Sequence, residues 1–306
     1  MKKVFLVTLN YKDHKDTYEL LNSLQKVKTD GFLMNVVVVD NYPLDQIKID
    51  IKEFKDLNLH VIYNEKNLGF SGGNNAGIKY SIKNNADYVI LQNNDTLVDP
   101  EYIKELIKAA ESNDIIGAVV PKIYFAKGYE FHKDRYKDKD LGKVIWYGGG
   151  YIDWKNVIGN HKGVDEVDNG KYDQEEEIEL ATGCCILIKK KTIDRVSGYD
   201  DRYFLYYEDA DLSQRMLSEG YKLLYVPKAI IWHKNAQSTG GPGSDLQDYF
   251  ITRNRLLFGM RFAGVRAKAA LIKESINLIS NGRKWQKKGV IDYYLRKFGK
   301  GSYPLE

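Results

Sequence analysis

Cysteine is almost absent: the 306 residues hold two, Cys184 and Cys185, and they are adjacent. Neighbours in a strand point to opposite faces, so these two are not expected to form a disulfide, and no Cys-x-x-Cys spacing offers a zinc site. Two small buried residues in a reducing cytoplasm is the plain reading. Long apolar runs are missing as well, so nothing reads as a membrane span. The start, Met1-Lys2-Lys3 then Val4-Phe5-Leu6-Val7, has too short an apolar run for a secretory signal and no cleavage site behind it. Neither Gly-x-Gly-x-x-Gly nor Gly-Lys-Ser/Thr occurs, which removes the main support for dinucleotide and P-loop readings. No serine triad is expected either, for want of a nucleophile elbow. There is no internal repeat and no low-complexity linker.

What is present describes a globular chain. Hydrophobic content is 43% and aromatic content 12%, most of the latter tyrosine. The length suits one large domain or two modest ones. The net charge of +4 conceals an asymmetry: residues 251–306 carry 13 Lys/Arg against 3 Asp/Glu, whereas the first 250 carry 33 against 39. The tail is where an anionic surface or partner would dock.

The first 120 residues alternate strand and helix signals. Strands are expected at Val4–Leu9, Val36–Val39, Leu59–Tyr63 and Tyr88–Leu91, and helices at Tyr18–Val27, Asn74–Ile82 and Pro100–Ala110. Continuously apolar strands between helices imply a mostly parallel sheet covered on both faces, with ligands beyond the carboxyl ends of the strands. Those ends carry Thr8-Leu9-Asn10, Asp40-Asn41, Asn64 and Asn93-Asn94-Asp95, all polar enough for a nucleotide cleft. Residues 127–143 and 160–179 read as solvated loops. Order returns with a strand at Ala181–Lys189, a helix at Glu208–Ser218, and short strands at Leu223–Val226 and Ile230–Trp232.

Four motifs carry chemistry. The stretch Asn64 to Gly77 is rich in glycine and opens a helix, where free amides attract anions; a tight βα turn would look the same. Asn93-Asn94-Asp95 at a strand end could ligate a hard cation or cap a helix. Glu208-Asp209-Ala210-Asp211 opens a helix, where carboxylates suit the positive dipole end. One of them must face the cleft if the chain is an enzyme, since no better general base is evident. His233 follows Trp232 at a strand end, and neutral imidazole is a competent metal ligand beside an aspartate.

In order along the chain stand Thr8-Leu9-Asn10-Tyr11, Val37-Val38-Val39-Asp40-Asn41, Asn67-Leu68-Gly69-Phe70-Ser71-Gly72-Gly73-Asn74-Asn75-Ala76-Gly77 and Gln92-Asn93-Asn94-Asp95. Gly148-Gly149-Gly150, Ala181-Thr182-Gly183, Gly198-Tyr199-Asp200, Glu208-Asp209-Ala210-Asp211-Leu212, Trp232-His233 and Tyr249-Phe250-Ile251-Thr252-Arg253-Asn254 follow. This ordered set resembles the inverting family 2 glycosyltransferases of the glycosyltransferase A fold, in particular their rhamnosyltransferase-like branch. The resemblance implies an α/β fold with a Rossmann-like central sheet and a C-terminal helical extension. Residues 1–258 would be the catalytic domain, with a nucleotide-sugar half over about 1–120 and an acceptor half over about 121–258. Residues 259–306 would be the basic extension.

By the same resemblance, Asp209 is the catalytic base and Glu208 orients it or the acceptor. Asp95 and His233 hold Mg2+ or Mn2+, and Asn93 stands where the family's first aspartate lies. Asp40 contacts the base or ribose, with Asn64 and Asn74 lining its pocket. Thr8, Asn10, Asn67, Gly69, Asn94, Asp95 and Arg253 complete the expected nucleotide-sugar contacts. The expected donor is dTDP-L-rhamnose, with a UDP-hexose as competitor, and the acceptor a glycan or lipid-linked glycan. A sugar nucleotidyltransferase or a non-catalytic nucleotide-sugar-binding protein is the reading from another class. The expected place is the cytoplasm, peripheral on the inner face of the cell membrane through anionic lipid, against the alternative of a C-terminal helical hairpin packed on the catalytic domain or on a second subunit. No nucleic acid partner is expected, and a homodimer stays open.

Overall fold

A computed structural model describes residues 1–235 and 243–305. The chain opens β1 (Lys2–Asn10), α1 (His14–Leu24), β2 (Phe32–Asp40), β3 (Asn58–Tyr63), α2 (Gly69–Lys83), β4 (Tyr88–Asn93), β5 (Thr96–Val98), α3 (Tyr102–Glu111) and β6 (Ile116–Phe125). It continues through β7 (Ile145–Tyr147), β8 (Gly150–Asp153), β9 (Ile158–His161), β10 (Glu176–Glu177), β11 (Cys185–Lys189), α4 (Lys190–Val196), α5 (Glu208–Ser218) and β12 (Lys222–His233). Three helices end it: α6 (Asp245–Phe262), α7 (Val265–Asn281) and α8 (Lys284–Tyr294).

The main sheet runs in the order β10-β12-β6-β11-β4-β1-β2-β3, with β5 beside β12 and β7 beside β6. As the valine-rich strands lead one to expect, β3, β2, β1 and β4 are parallel. β11 is antiparallel to both β4 and β6, while β6 and β12 run parallel to each other; the short strands β10, β5 and β7 at this end also pair antiparallel. A strand antiparallel to two neighbours leaves those neighbours co-directional. The carboxyl ends of β1, β2, β3, β4, β6 and β12 therefore share one edge.

Helix starts differ from expectation where caps or glycines intervene. α1 begins at His14 because the Asp13 side chain accepts from the Lys15 amide. α2 begins at Gly69, so the glycine-rich stretch lies inside the helix rather than before it. A side chain at Gly73 would collide with Leu9 and one at Gly77 with Val7. These glycines bring α2 close against β1. The two short strands expected near 223 and 231 are one strand, β12, broken only by a register shift between Val226 and Ile230.

The expected boundary at 258/259 falls within α6. That helix has no natural break there: Leu256, Leu257 and Phe258 are buried together with Ile152, Val157, Leu271 and Val290. The C-terminal hairpin of α7 and α8 is packed onto the same core and is continuous with the domain that carries the site.

Candidate functional site

The parallel register sets Asn10 opposite Asp40, Asp40 opposite Tyr63 and Leu9 opposite Asn93. Side chains at these ends then bond across strands. Asn10 Nδ2 donates to Asp40 Oδ1 at 3.1 Å, Thr17 Oγ1 to Asn10 Oδ1 at 2.8 Å, and Asn94 Nδ2 to Thr17 Oγ1 at 3.0 Å. Thr8 is buried one pleat earlier, its hydroxyl without a hydrogen-bond partner. Asp40 is buried too, and Oδ2 accepts from the Ile47 amide at 2.8 Å while Oδ1 also accepts from that of Tyr42. Its carboxylate thus closes the loop after β2.

Asn41 gathers the rest of this corner, a role the sequence did not assign to it. Its Oδ1 accepts from Asn64 Nδ2 and the Leu68 amide, both at 3.0 Å, and its Nδ2 donates to Asn67 Oδ1 and the Gly69 carbonyl, both at 3.1 Å. All four bonds an amide side chain can make are in use. Gly69, at φ +73°, starts α2 against Phe204; a Cβ there would lie 2.6 Å from that ring. Asn74 is not brought to this edge: it is buried on α2 and donates to the Phe70 carbonyl one turn back. Against expectation, Gly69-Phe70-Ser71-Gly72-Gly73 does satisfy the spacing of a nucleophile elbow. Its serine is no nucleophile, since the Ser71 hydroxyl is fully buried with no hydrogen-bond partner to activate it.

On the far side, β5 pairs with β12 so that Thr96 lies opposite His233. The pairing brings Asp95 Oδ1 to 3.1 Å from His233 Nε2, both residues buried. The Lys234 amide donates to the Asp95 carbonyl, and its buried ammonium reaches Asp16 at 2.6 Å and Glu19 on α1. His233 meets the Trp146 ring edge-on at 4.5 Å, and the same indole meets His161 at 4.7 Å. Burial pushes His161 down to about 4, the charge of His233 acting the same way and a bond with the Trp146 backbone opposing both.

A separation of 3.1 Å is about the edge of an octahedron with metal bonds of roughly 2.1 Å, so one carboxylate and one imidazole fit two adjacent positions around a divalent cation. Nδ1 of His233 is buried without a hydrogen-bond partner. Among the described residues no group of three His, Cys, Asp or Glu side chains could close a full shell. The remaining positions would fall to ligand oxygens and water.

The carboxylate pair sits at the start of α5. Asp209 is partly buried, its Oδ2 accepting from the Gly183 amide at 3.1 Å and Oδ1 from the Ala210 amide at 2.8 Å. Burial raises its pKa and those amide bonds hold the rise in check. Glu208 is buried with Oε2 unpartnered, and burial first, then the Asp209 charge, keeps its carboxyl well above the usual range. Asp211 is structural, held by Arg215 at 2.6 Å, Arg261 at 2.7 Å and the Tyr203 hydroxyl at 3.2 Å. A backbone path ties the two halves of the site: the Asn93 amide donates to the carbonyl of Cys184, next to Gly183.

Arg253 is not in the cleft. It is fully buried behind the site, donating to the carbonyls of Gly299, Lys297, Arg202 and Tyr203. Its neighbour Asn254 donates to those of Tyr203, Leu205 and Tyr206. Three non-glycine residues of that segment hold positive φ: Phe204 at 66°, Tyr206 at 68° and Tyr207 at 71°. Asn254, Trp146 and His161 are the members that sequence reasoning missed. Asn254 stood inside a noted motif, Trp146 just ahead of Gly148-Gly149-Gly150, and His161 lay in a polar stretch with no signal.

The family described as Glycosyl transferase family 2 matches residues 4–194, which includes Asp95 and Gly183 but stops short of Asp209 and His233. The chain is 40% identical over 73 residues to the N-acetylglucosaminyl-diphospho-decaprenol L-rhamnosyltransferase of Mycobacterium tuberculosis, a match spanning 24% of each chain. It is 23% identical over 253 residues to the low-salt glycan biosynthesis hexosyltransferase Agl10 of Haloferax volcanii, covering 82% of this chain and 74% of that one. Among solved structures, GalNAc-T7 with UDP, GalNAc and Mn2+ superposes with a TM-score of 0.59 at 15% identity, over 96% of this chain and 58% of that one. The mannosyltransferase PcManGT of Pyrobaculum calidifontis with GDP-Man and Mn2+ gives 0.53 at 13% identity, over 99% and 76%.

Proposed function

The chain belongs to glycosyl transferase family 2, and on that footing we propose that it is a metal-dependent inverting glycosyltransferase. Its donor would be a nucleotide-sugar, dTDP-L-rhamnose in the first place, and its acceptor a hydroxyl of a glycan or lipid-linked glycan in cell-surface polysaccharide synthesis. The observation that carries this is the Asp209 carboxylate, oriented by two backbone amides and linked through Gly183 and Cys184 to the strand end that bears Asp95.

Inversion is one displacement. The acceptor oxygen bonds to the anomeric carbon on the face opposite the leaving diphosphate, and its proton passes to Asp209. Partial burial makes Asp209 a stronger base than an exposed aspartate, while its two amide bonds fix the direction of approach. Burial holds the Glu208 carboxyl well above its usual range, which disfavours a second negative charge beside the base. A divalent cation, Mg2+ or Mn2+, on Asp95 and His233 would neutralise the departing diphosphate.

The likeness to a protein named an L-rhamnosyltransferase supports the first donor; the hexosyltransferase name and the UDP-bound neighbour support a UDP-hexose instead. A panel of nucleotide-sugars assayed for released nucleoside diphosphate separates them. Release from dTDP-rhamnose is the expected result, and release only from UDP-glucose or UDP-galactose moves the donor to the second reading. Pyrophosphate release from a nucleoside triphosphate would mean a nucleotidyltransferase and overturn both.

A further inference from the structure

The C-terminal hairpin uses only one face of α7. Leu271 and Ser275 are buried on that face, and Glu274 bonds Arg255 of α6 at 2.7 Å. A flanking face carries Val265, Ala269, Ile272, Ile276 and Ile279, spaced alternately four and three residues apart. That spacing lays a continuous apolar stripe along the whole 17-residue helix. Val265 is 83% exposed and Ile276 61%. A stripe of this length, flanking the packed face of the helix and left uncovered, calls for an occupant.

The flanking charges choose between two occupants. Were a second copy to pair along the stripe, Arg266, Lys268 and Lys273 would border the seam, with Ser275 and Ser280 as the other neighbours. No acid stands there to meet them, because Glu274, the one acid of α7, is on the packed side. Like charges along a seam oppose self-pairing. α8 extends the same sign with Lys284, Lys287 and Lys288, and its one acid, Asp292, is buried on Tyr249 and Ser302. An apolar stripe bordered by cations complements an anionic bilayer, where side chains enter the interface and cations meet headgroups.

We propose that the α7 stripe docks the protein on an anionic membrane surface. Val265, Ile272, Ile276 and Ile279 enter the interface, and Arg266, Lys268 and Lys273 lie against lipid headgroups. Delivery of a lipid-linked acceptor to Asp209 by this surface rests on the transferase reading; the docking itself does not.

The test uses the full chain, since truncation would uncover Leu271, Val290 and the core they share. Co-sedimentation is measured with phosphatidylcholine vesicles and with vesicles containing phosphatidylglycerol, at low and high salt. Binding is expected to the anionic vesicles only and to fall as salt rises. Lys273→Ala should weaken it about fivefold, the effect of one basic residue near such a surface. Ile276→Glu should weaken it at least as much, with melting temperature unchanged. Wild-type protein that stays in the supernatant at low salt, or binds neutral vesicles equally, overturns the proposal. So does light scattering that shows a dimer which Ile276→Glu splits, because the stripe then belongs to a second copy. Donor turnover in the absence of vesicles reads the transferase separately: its loss with docking intact would sink that reading alone.

Discussion

Asn254 Nδ2 donates to the Tyr206 carbonyl at 2.8 Å, two residues before Glu208. The same amide group reaches the Leu205 carbonyl at 2.7 Å and that of Tyr203 at 2.9 Å, so its two hydrogens are shared among three acceptors. Left-handed backbone at a non-glycine residue costs on the order of 1 kcal/mol, and three such residues sit within four positions here. The segment keeps that conformation because α6 captures its carbonyls, and the conformation directs Glu208 and Asp209 to their places.

Replacing Asn254 by Ala should therefore cost both stability and turnover. Each buried carbonyl left without a donor costs about 1–3 kcal/mol, so a loss of roughly 3 kcal/mol is expected from urea unfolding. With Asp209, the proposed base, displaced, kcat should fall at least tenfold while the donor KM, which the proposal assigns to the other half of the sheet edge, changes little. An equal rise in donor KM, or an unchanged kcat, would remove the positioning role from Asn254.

The two halves of the site should fail differently. Asp209→Asn keeps the size but loses the proton acceptor and, with one acceptor oxygen left, one of the two bonds from the Gly183 and Ala210 amides; a general base contributes about 10²–10⁴-fold to rate. Donor affinity by calorimetry should stay near wild type while transfer drops by that factor. Asp95→Ala and His233→Ala should instead weaken Mn2+ and donor binding together. Unchanged metal affinity in both variants would exclude the pair as ligands, and wild-type transfer by Asp209→Asn would exclude the base.

Much of this was legible in the sequence, for identifiable reasons. Fully apolar strands such as Val36 to Val39 have one reading between helices, and α5 begins at the expected Glu208 because the acids mark a helix start. Asp95 and His233 meet because two strand ends pair, something order along the chain can suggest but not show. Other roles were hidden because they depend on neighbours distant in sequence. Asn41 is one polar residue among several until Asn64, Asn67 and Gly69 close around it. Arg253 belongs to a recognised motif, yet its burial under the carbonyls of Lys297 and Gly299 follows from a hairpin that composition described only as basic. The glycines from 69 to 73 read as a turn before the helix because close packing against β1 and flexible backbone leave the same mark in a sequence.

That last distinction can be measured. Gly77→Ala improves helix propensity by about 1 kcal/mol, and on an exposed helix it would stabilise. Here the new methyl meets the Val7 side chain at a contact that no rotamer of the alanine relieves. Overpacking a sheet–helix interface costs about 1–3 kcal/mol, so a net loss of stability is expected, visible as a lower melting temperature. A melting temperature equal to wild type or higher would mean that α2 does not pack this closely on β1.

His161 supplies the pH-dependent term. Its folded pKa of about 4 lies below the usual value of 6.5, so the unfolded chain takes up the proton first as pH falls. The stability this residue contributes is whole above pH 6.5 and is lost as the pH drops from there toward 4. Trp146, Tyr147 and His233 are the groups that face the ring. His161→Phe keeps an aromatic ring against the indole and removes the titration. Urea unfolding at pH 7, 5.5 and 4.5 should show the variant losing less stability than wild type across that window, by at most about 3 kcal/mol. Carboxylates elsewhere titrate in both proteins and cancel in the difference. Parallel curves would mean that His161 is already solvated and that the Trp146 stack leaves it open to water.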